Sequence, residues 1–340
     1  MPTSQFRNLV FEGGGVKGIA YAGALQVLES KGILPDIKRV AGTSAGAITA
    51  TLVALGCSAA EVEQIVGSTS FRSFMDANFG LIRNTDRLLQ DYGWYEGDTF
   101  VQWIQKILDA FGWKPDLTFG ELRKFVQANP GGKRKELTVV GSNVSAETPQ
   151  VFSADTTPDV PIWYAVRISM SIPLFFAAVK DDARKAIFVD GGVTWNYPVD
   201  LFDDRKFVED PRAAQPVSYP TTWGPDHVYN KETLGLRLGT RDEILVEKNL
   251  ATQPPQEIDD FIGYLKGVIN FMLEILNRTH LHDNDWHRTV FLDTLGVRAT
   301  QFDLPDDTVQ KLVASGKAGA EEYFAWFENP ASAPAPKNRL

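Results

Sequence analysis

Cysteine is almost missing from this 340-residue chain: Cys57 is the only one. A disulfide within the chain and a cysteine-rich metal site are therefore excluded. Cys57 sits in the apolar run LVALGC and reads as a small buried residue. Histidine is scarce too, with four copies, His227, His280, His282 and His287, all far downstream. Positive charge is in deficit: 34 Lys and Arg stand against 43 Asp and Glu, a net charge of −9. Nucleic acid, which asks for a basic footprint, is excluded as a partner, and so is retention on anionic lipid by bulk charge alone. No apolar run approaches the length of a membrane span. The opening residues MPTSQFRNLV hold no apolar segment long enough for a signal peptide. The expectation is a soluble cytoplasmic protein whose membrane contact, if any, is peripheral and transient; signal-free export would leave no mark in the sequence.

What is present is an ordinary globular composition, 44% apolar and 23% charged, with glycine concentrated in two places. The first is LVFEGGGVKGIAY, where Gly13, Gly15 and Gly18 spell G-x-G-x-x-G after a short apolar strand, Asn8 to Phe11. A dinucleotide turn would need an acid at the end of the second strand to hold the ribose. That strand, Ile37 to Ala41, runs instead into Gly42-Thr-Ser44-Ala-Gly46. A phosphate loop ending in Gly-Lys-Ser/Thr is missing as well. G-x-S-x-G between a strand and a helix is the context of a nucleophile elbow, a turn so tight that the serine Oγ projects outward. In a strand-helix-strand unit both strands point the same way, so the glycine loop and the elbow emerge side by side at one sheet edge. The amides of Gly13 to Gly15 can then face the oxyanion of a carbonyl attacked by Ser44.

A helix is expected over Ile19 to Ser30 with Gly32 closing it, and another after the elbow to Leu55. Capping boxes open helices at Ser58 and Thr118. Strands are expected at Lys135 to Val144, Gln150 to Phe152, Ala186 to Val189, Leu234 to Leu238 and Thr289 to Leu292, and a helix at Val160 to Met170. Residues 203–231 read as a long surface loop, Ile258 to Leu276 as a periodic helix, Asp306 to Glu328 as a helical pair, and 329–340 as a disordered tail. The pattern is one α/β domain with a sheet core.

A serine nucleophile needs a base. One of the histidines would complete a Ser–Asp–His order. The other candidate is Asp190 in AIFVDGGVTW, which ends an apolar strand; its residues alone suit a turn and a catalyst equally. A nucleotide-binding protein and a non-catalytic lipid- or partner-binding relative also stay open on these grounds.

EGGGVKG, GTSAG and DGG, in that order, resemble the patatin-like phospholipase family, most closely over residues 6 to 200. RISMSIPLFF resembles its Ser/Pro segment, and Glu12 departs from the Asp common there. The resemblance implies an α/β fold with a mostly parallel central sheet, helices on both faces, and a single catalytic domain over 6–328, with 232–328 as its C-terminal part. It implies a Ser44–Asp190 dyad without histidine, an oxyanion loop of Gly13, Gly14, Gly15 and Gly18, Lys17 in the family's basic position, and no cofactor or metal. The implied substrate is a phospholipid, a lysophospholipid or another acyl-ester lipid.

Overall fold

The structure, a computed structural model, describes residues 5–69, 71–74, 92–183, 185–217, 224–240, 264, 267 and 285–331. Apart from residues 264 and 267, the helix expected at 258–276 lies outside that set, as do His280, His282, residues 75–91 and the tail from 332 onward. Among the described residues no helix is long and apolar enough to cross a membrane.

The strands are β1 (Asn8–Phe11), β2 (Arg39–Thr43), β3 (Gly93–Tyr95), β4 (Glu136–Asn143), β5 (Thr148–Ser153), β6 (Leu174–Phe176), β7 (Val179–Asp181), β8 (Ala186–Asp190), β9 (Ala214–Gln215), β10 (Tyr229–Asn230), β11 (Thr233–Gly239) and β12 (Thr289–Asp293). The main sheet runs β12-β11-β1-β2-β4-β8-β7, with β5 as a further partner of β4. From β12 to β4 every pairing is parallel. β5, β7 and β8 join antiparallel. The fold is thus α/β with a mostly parallel central sheet.

The α-helices are α1 (Ala20–Ser30), α2 (Ala45–Ala54), α3 (Ala59–Ser68), α4 (Asp98–Ala110), α5 (Phe119–Ala128), α6 (Ile162–Ser169), α7 (Gly192–Trp195) and α8 (Asp306–Glu328). Both capping boxes form, Ser58 with Glu61 and Thr118 with Glu121. Alternation along β1 divides the core between two faces. Leu9 and Phe11 join the large cluster with Tyr21 and Leu25 of α1, Ile48 and Leu52 of α2 and Phe324 of α8. Val10, with Ala41 of β2, packs on Phe202 from the short 3-10 turn Val199–Phe202.

Two expectations change. Asp306–Glu328 is one continuous helix, not a pair. Small residues let it pack closely on α1: a Cβ on Gly316 would lie 1.9 Å from the Ala20 carbonyl oxygen, and one on Gly23 of α1 would lie 1.8 Å from that of Val313. The region 203–231, where described, is irregular but not all surface. Asp203 is buried and accepts both terminal guanidinium nitrogens of Arg288 at 2.5 and 2.6 Å.

Candidate active site

β2 ends in the elbow. Ser44 lies at φ 53°, ψ −127°, a region L-residues occupy at a cost of about 1–3 kcal/mol. The flanking glycines are required by proximity: a Cβ on Gly46 would stand 2.4 Å from the Phe11 carbonyl oxygen. β1 and α2 could not close on each other around a larger residue.

Asp190 reaches Ser44 through the register of β4. Thr43 of β2 pairs with Val140, and the next residue, Gly141, pairs with Asp190 of β8. β5 covers Thr138 to Asn143 on the opposite edge. β2 and β8 therefore share one edge of β4 and run head to head, meeting where β2 gives way to Ser44 and β8 ends in Asp190. Both side chains are buried, each 4% exposed.

The Asp190 carboxyl accepts the Gly192 amide at 2.7 Å through Oδ1, while Oδ2 has no hydrogen-bond partner among the described residues. Burial pushes its pKa up to about 7; the Gly192 bond and the nearby Ser44 hydroxyl pull the other way without cancelling it. The Ser44 hydroxyl is not hydrogen-bonded to Oδ2. Ser44 Oγ is directed at Met170 Sδ, 3.9 Å away.

The glycine loop lies on the other side of the serine. A Cβ on Gly13 would approach Ser44 Cβ to 3.0 Å. Of the three amides expected to face the serine, that of Gly13 donates instead to the Asn196 carbonyl at 3.0 Å. The Asn196 side chain returns a bond to Gly13 O at 3.1 Å. The amides of Gly14 and Gly15 have no acceptor among the described residues. Gly15 has φ +55°, and a Cβ there would sit 2.0 Å from Ala299 O. Gly18 packs the loop onto the elbow helix, its Cβ position 3.1 Å from Ala45 Cβ. Lys17 is half-buried, its stem alongside Gly14. Beneath the loop, Glu12 accepts Leu238 N at 2.6 Å and pairs with Arg237 Nε at 3.4 Å. The longer Glu thus ties the loop's root to β11.

A family model described as patatin-like phospholipase matches residues 9–203, more than half of the chain. The chain belongs to the patatin-like phospholipase family. It is 30% identical over 329 residues to the uncharacterised protein YqhO of Bacillus subtilis, covering 93% of this chain and 97% of that one. It is 28% identical over 213 residues to triacylglycerol lipase 4 of Saccharomyces cerevisiae, covering 56% of this chain and 22% of the yeast protein. VipD from Legionella pneumophila, a solved structure, matches at a TM-score of 0.55 and 16% identity over 94% of this chain and 67% of that one, a likeness of fold.

In this patatin-like chain no described histidine bonds either Ser44 or Asp190. His227 lies in the β9–β10 region, bridged to Asp204. His287 is exposed and packs edge-on to Trp326 of α8, with ring centroids 6.3 Å apart. Cys57 is buried with its thiol pKa pushed up to about 12, as suits a packing residue. The residues the sequence reading missed are Ser169 and Asn196. The first was visible as part of the Ser/Pro segment, and the second follows DGG closely, but neither carries a signal of its partner. Those partners, Ser44 and Gly13, lie 125 and 183 positions away.

Proposed function

We propose that this protein is a serine-dependent lipid acyl hydrolase of the phospholipase A or lysophospholipase type, working through a Ser44–Asp190 dyad. The observation that carries the proposal is the head-to-head meeting of β2 and β8, which brings a strained serine and a buried carboxylate with a free oxygen to one point. In the first half-reaction Oγ of Ser44 attacks the ester carbonyl carbon while Asp190 Oδ2 takes the hydroxyl proton. The oxyanion is met by the Gly14 and Gly15 amides, with about 3 kcal/mol of stabilisation expected per donor. When the intermediate collapses, the C–O bond to the leaving alcohol breaks and Asp190 returns the proton to it. Water then repeats the sequence on the acyl-enzyme, freeing the fatty acid and Ser44.

An ordinary Asp, near 4, is a poor base at neutral pH. Burial brings Asp190 to about 7, where proton acceptance is better matched to the reaction. The active form is the ionised one, so kcat/KM is expected to rise with pH through a limb near 7 and then level. A flat profile between pH 5.5 and 8.5 would contradict the base assignment.

An apolar acyl chain suits the surroundings. Met170 lies against Oγ, and the chain turns within a few residues to Phe175, whose ring packs on Tyr95 and Phe302 with centroids 5.4 and 5.2 Å away. The test is a panel of phospholipids, lysophospholipids, triacylglycerols and soluble esters, run beside a fluorophosphonate probe whose attachment is mapped by mass spectrometry. Release of fatty acid from a glycerolipid and labelling of Ser44 are expected, both persisting in excess EDTA. Single Asn substitutions at His227, His280, His282 and His287 should each leave most of the turnover. A histidine variant that loses it, or a label on another serine, would defeat the dyad.

A further inference from the structure

The nucleophile's backbone amide is captured by a side chain from a distant segment. Ser44 N–H donates to Ser169 Oγ at 2.8 Å, and that hydroxyl donates its own proton to Val140 O at 2.6 Å. Ser169 is the last residue of α6 and fully buried. Val140 is the β4 residue opposite Thr43, directly before the Gly141 that faces Asp190. Two residues on, Ser171 accepts the Asp190 amide through its carbonyl at 2.8 Å. Between them Met170 contributes the sulfur beside Ser44 Oγ. One tripeptide, Ser169-Met170-Ser171, therefore grips the peptide of each dyad member.

The tripeptide is itself held. Arg167, buried on the preceding turn of α6, donates to Ser171 Oγ and to the carbonyls of Glu96 and Ala177. Ser171 Oγ donates back to Arg167 O at 2.9 Å. The Ser169 hydroxyl differs from these in touching the strained residue directly. With it in place, the Ser44 peptide is fastened to the β4 position next to the one that registers Asp190. Without it, the Ser44 amide loses its side-chain anchor, and the peptide is held by the β2–β4 pairing at Thr43 and the first bonds of α2.

We propose that Ser169 is a positioning residue for hydrolysis: its hydroxyl bolts the Ser44 peptide to β4 and so sets the approach of Oγ to Asp190. The proposal rests on the dyad reading above. Ser169 touches neither substrate nor the reacting atoms, so its effect falls on turnover and not on binding.

The experiment measures kcat and KM per active site, with sites counted by fluorophosphonate titration, in wild type, Ser169→Ala and Thr51→Ala. Thr51 is an equally buried hydroxyl on α2 that bonds only the Ala47 carbonyl of its own helix, at 2.7 Å, so its variant reports generic loss of a buried hydroxyl. Ser169→Ala is expected to lower kcat by about 10–100-fold, the scale of a small misplacement of reacting groups, with KM within about threefold. Thr51→Ala should keep kcat. The acid limb of Ser169→Ala should also move to higher pH, because the nearby Ser44 hydroxyl is one of the groups that hold the Asp190 pKa down. Should the alanine variant fail to fold, Ser169→Thr and Ser169→Val impose the same bulk and differ only in the hydroxyl. The threonine form is expected to keep turnover and the valine form to lose it.

Equal kcat in the valine and threonine forms, or a Ser169→Ala enzyme with wild-type kcat and limb, overturns the proposal while leaving the dyad intact. A wild type that neither hydrolyses any ester nor reacts with the probe overturns the functional reading, and the role of Ser169 falls with it.

Discussion

Ser44→Gly is expected to abolish hydrolysis and to raise the melting temperature. Turnover should fall by at least about 10⁴-fold, the scale seen when a covalent nucleophile is removed. Stability should move the other way for a backbone reason. Ser44 occupies φ 53°, ψ −127°, where a Cβ costs about 1–3 kcal/mol. Glycine enters that region freely, at an entropic cost of about 0.5–1 kcal/mol in the unfolded chain. Ser44→Ala should lose the same activity without the gain, because it keeps the Cβ. Thermal melts of the three proteins at one pH provide the comparison. A glycine variant melting below the alanine variant would show that the elbow is not strained, and residual turnover in either would remove Ser44 from the chemistry.

Asp190→Asn should likewise combine lost activity with gained stability, but here the gain depends on pH. Turnover is expected to drop by about 10²–10⁴-fold, the usual loss for a missing general base. The folded pKa of about 7 lies above the ordinary 3.8 because burial disfavours the charge. The native state therefore holds a proton that the unfolded chain gives up near 3.8. Stability linked to this group is complete below that value, declines as pH rises through 7, and stays reduced above it. A shift of this size corresponds to about 4 kcal/mol at full weight. Asparagine can still accept the Gly192 amide and carries no charge to bury. Its melting temperature should exceed the wild-type value at pH 8, and the gap should close toward pH 5. Parallel unfolding curves at the two pH values would decide the matter: a constant gap would mean that Asp190 is not the buried titrating group.

The local parts of this architecture were legible because their signals are local. The G-x-S-x-G turn, the glycine loop and both capping boxes each show in a handful of consecutive residues, and the elements formed where those residues stand. Pairings across the chain were not legible. Periodicity marks Ala186 to Val189 as a strand but says nothing of its direction or of the edge it takes on β4. The Gly13 amide looked free until Asn196, 183 residues away, claimed it. The glycines of α8 carry the same letters whether they break a helix or let it pack closely, and here Gly316 meets α1 and Gly319 meets β12. The raised pKa of Asp190 is of the same kind, since it comes from the burial of the carboxyl and not from its neighbours in sequence.

Because β2 and β8 meet on a shared edge, the spacing of Ser44 and Asp190 is counted in whole residues of β4. Strand positions advance by about 3.3 Å and alternate faces, so no intermediate settings exist between one register and the next. A single deletion inside Ala186–Asp190 would turn the carboxyl to the opposite face of the sheet, whereas residues can be gained or lost in the β7–β8 connection without touching that count. The two strand ends therefore act as a ratchet that passes only whole steps, while the loops beside them carry no such count.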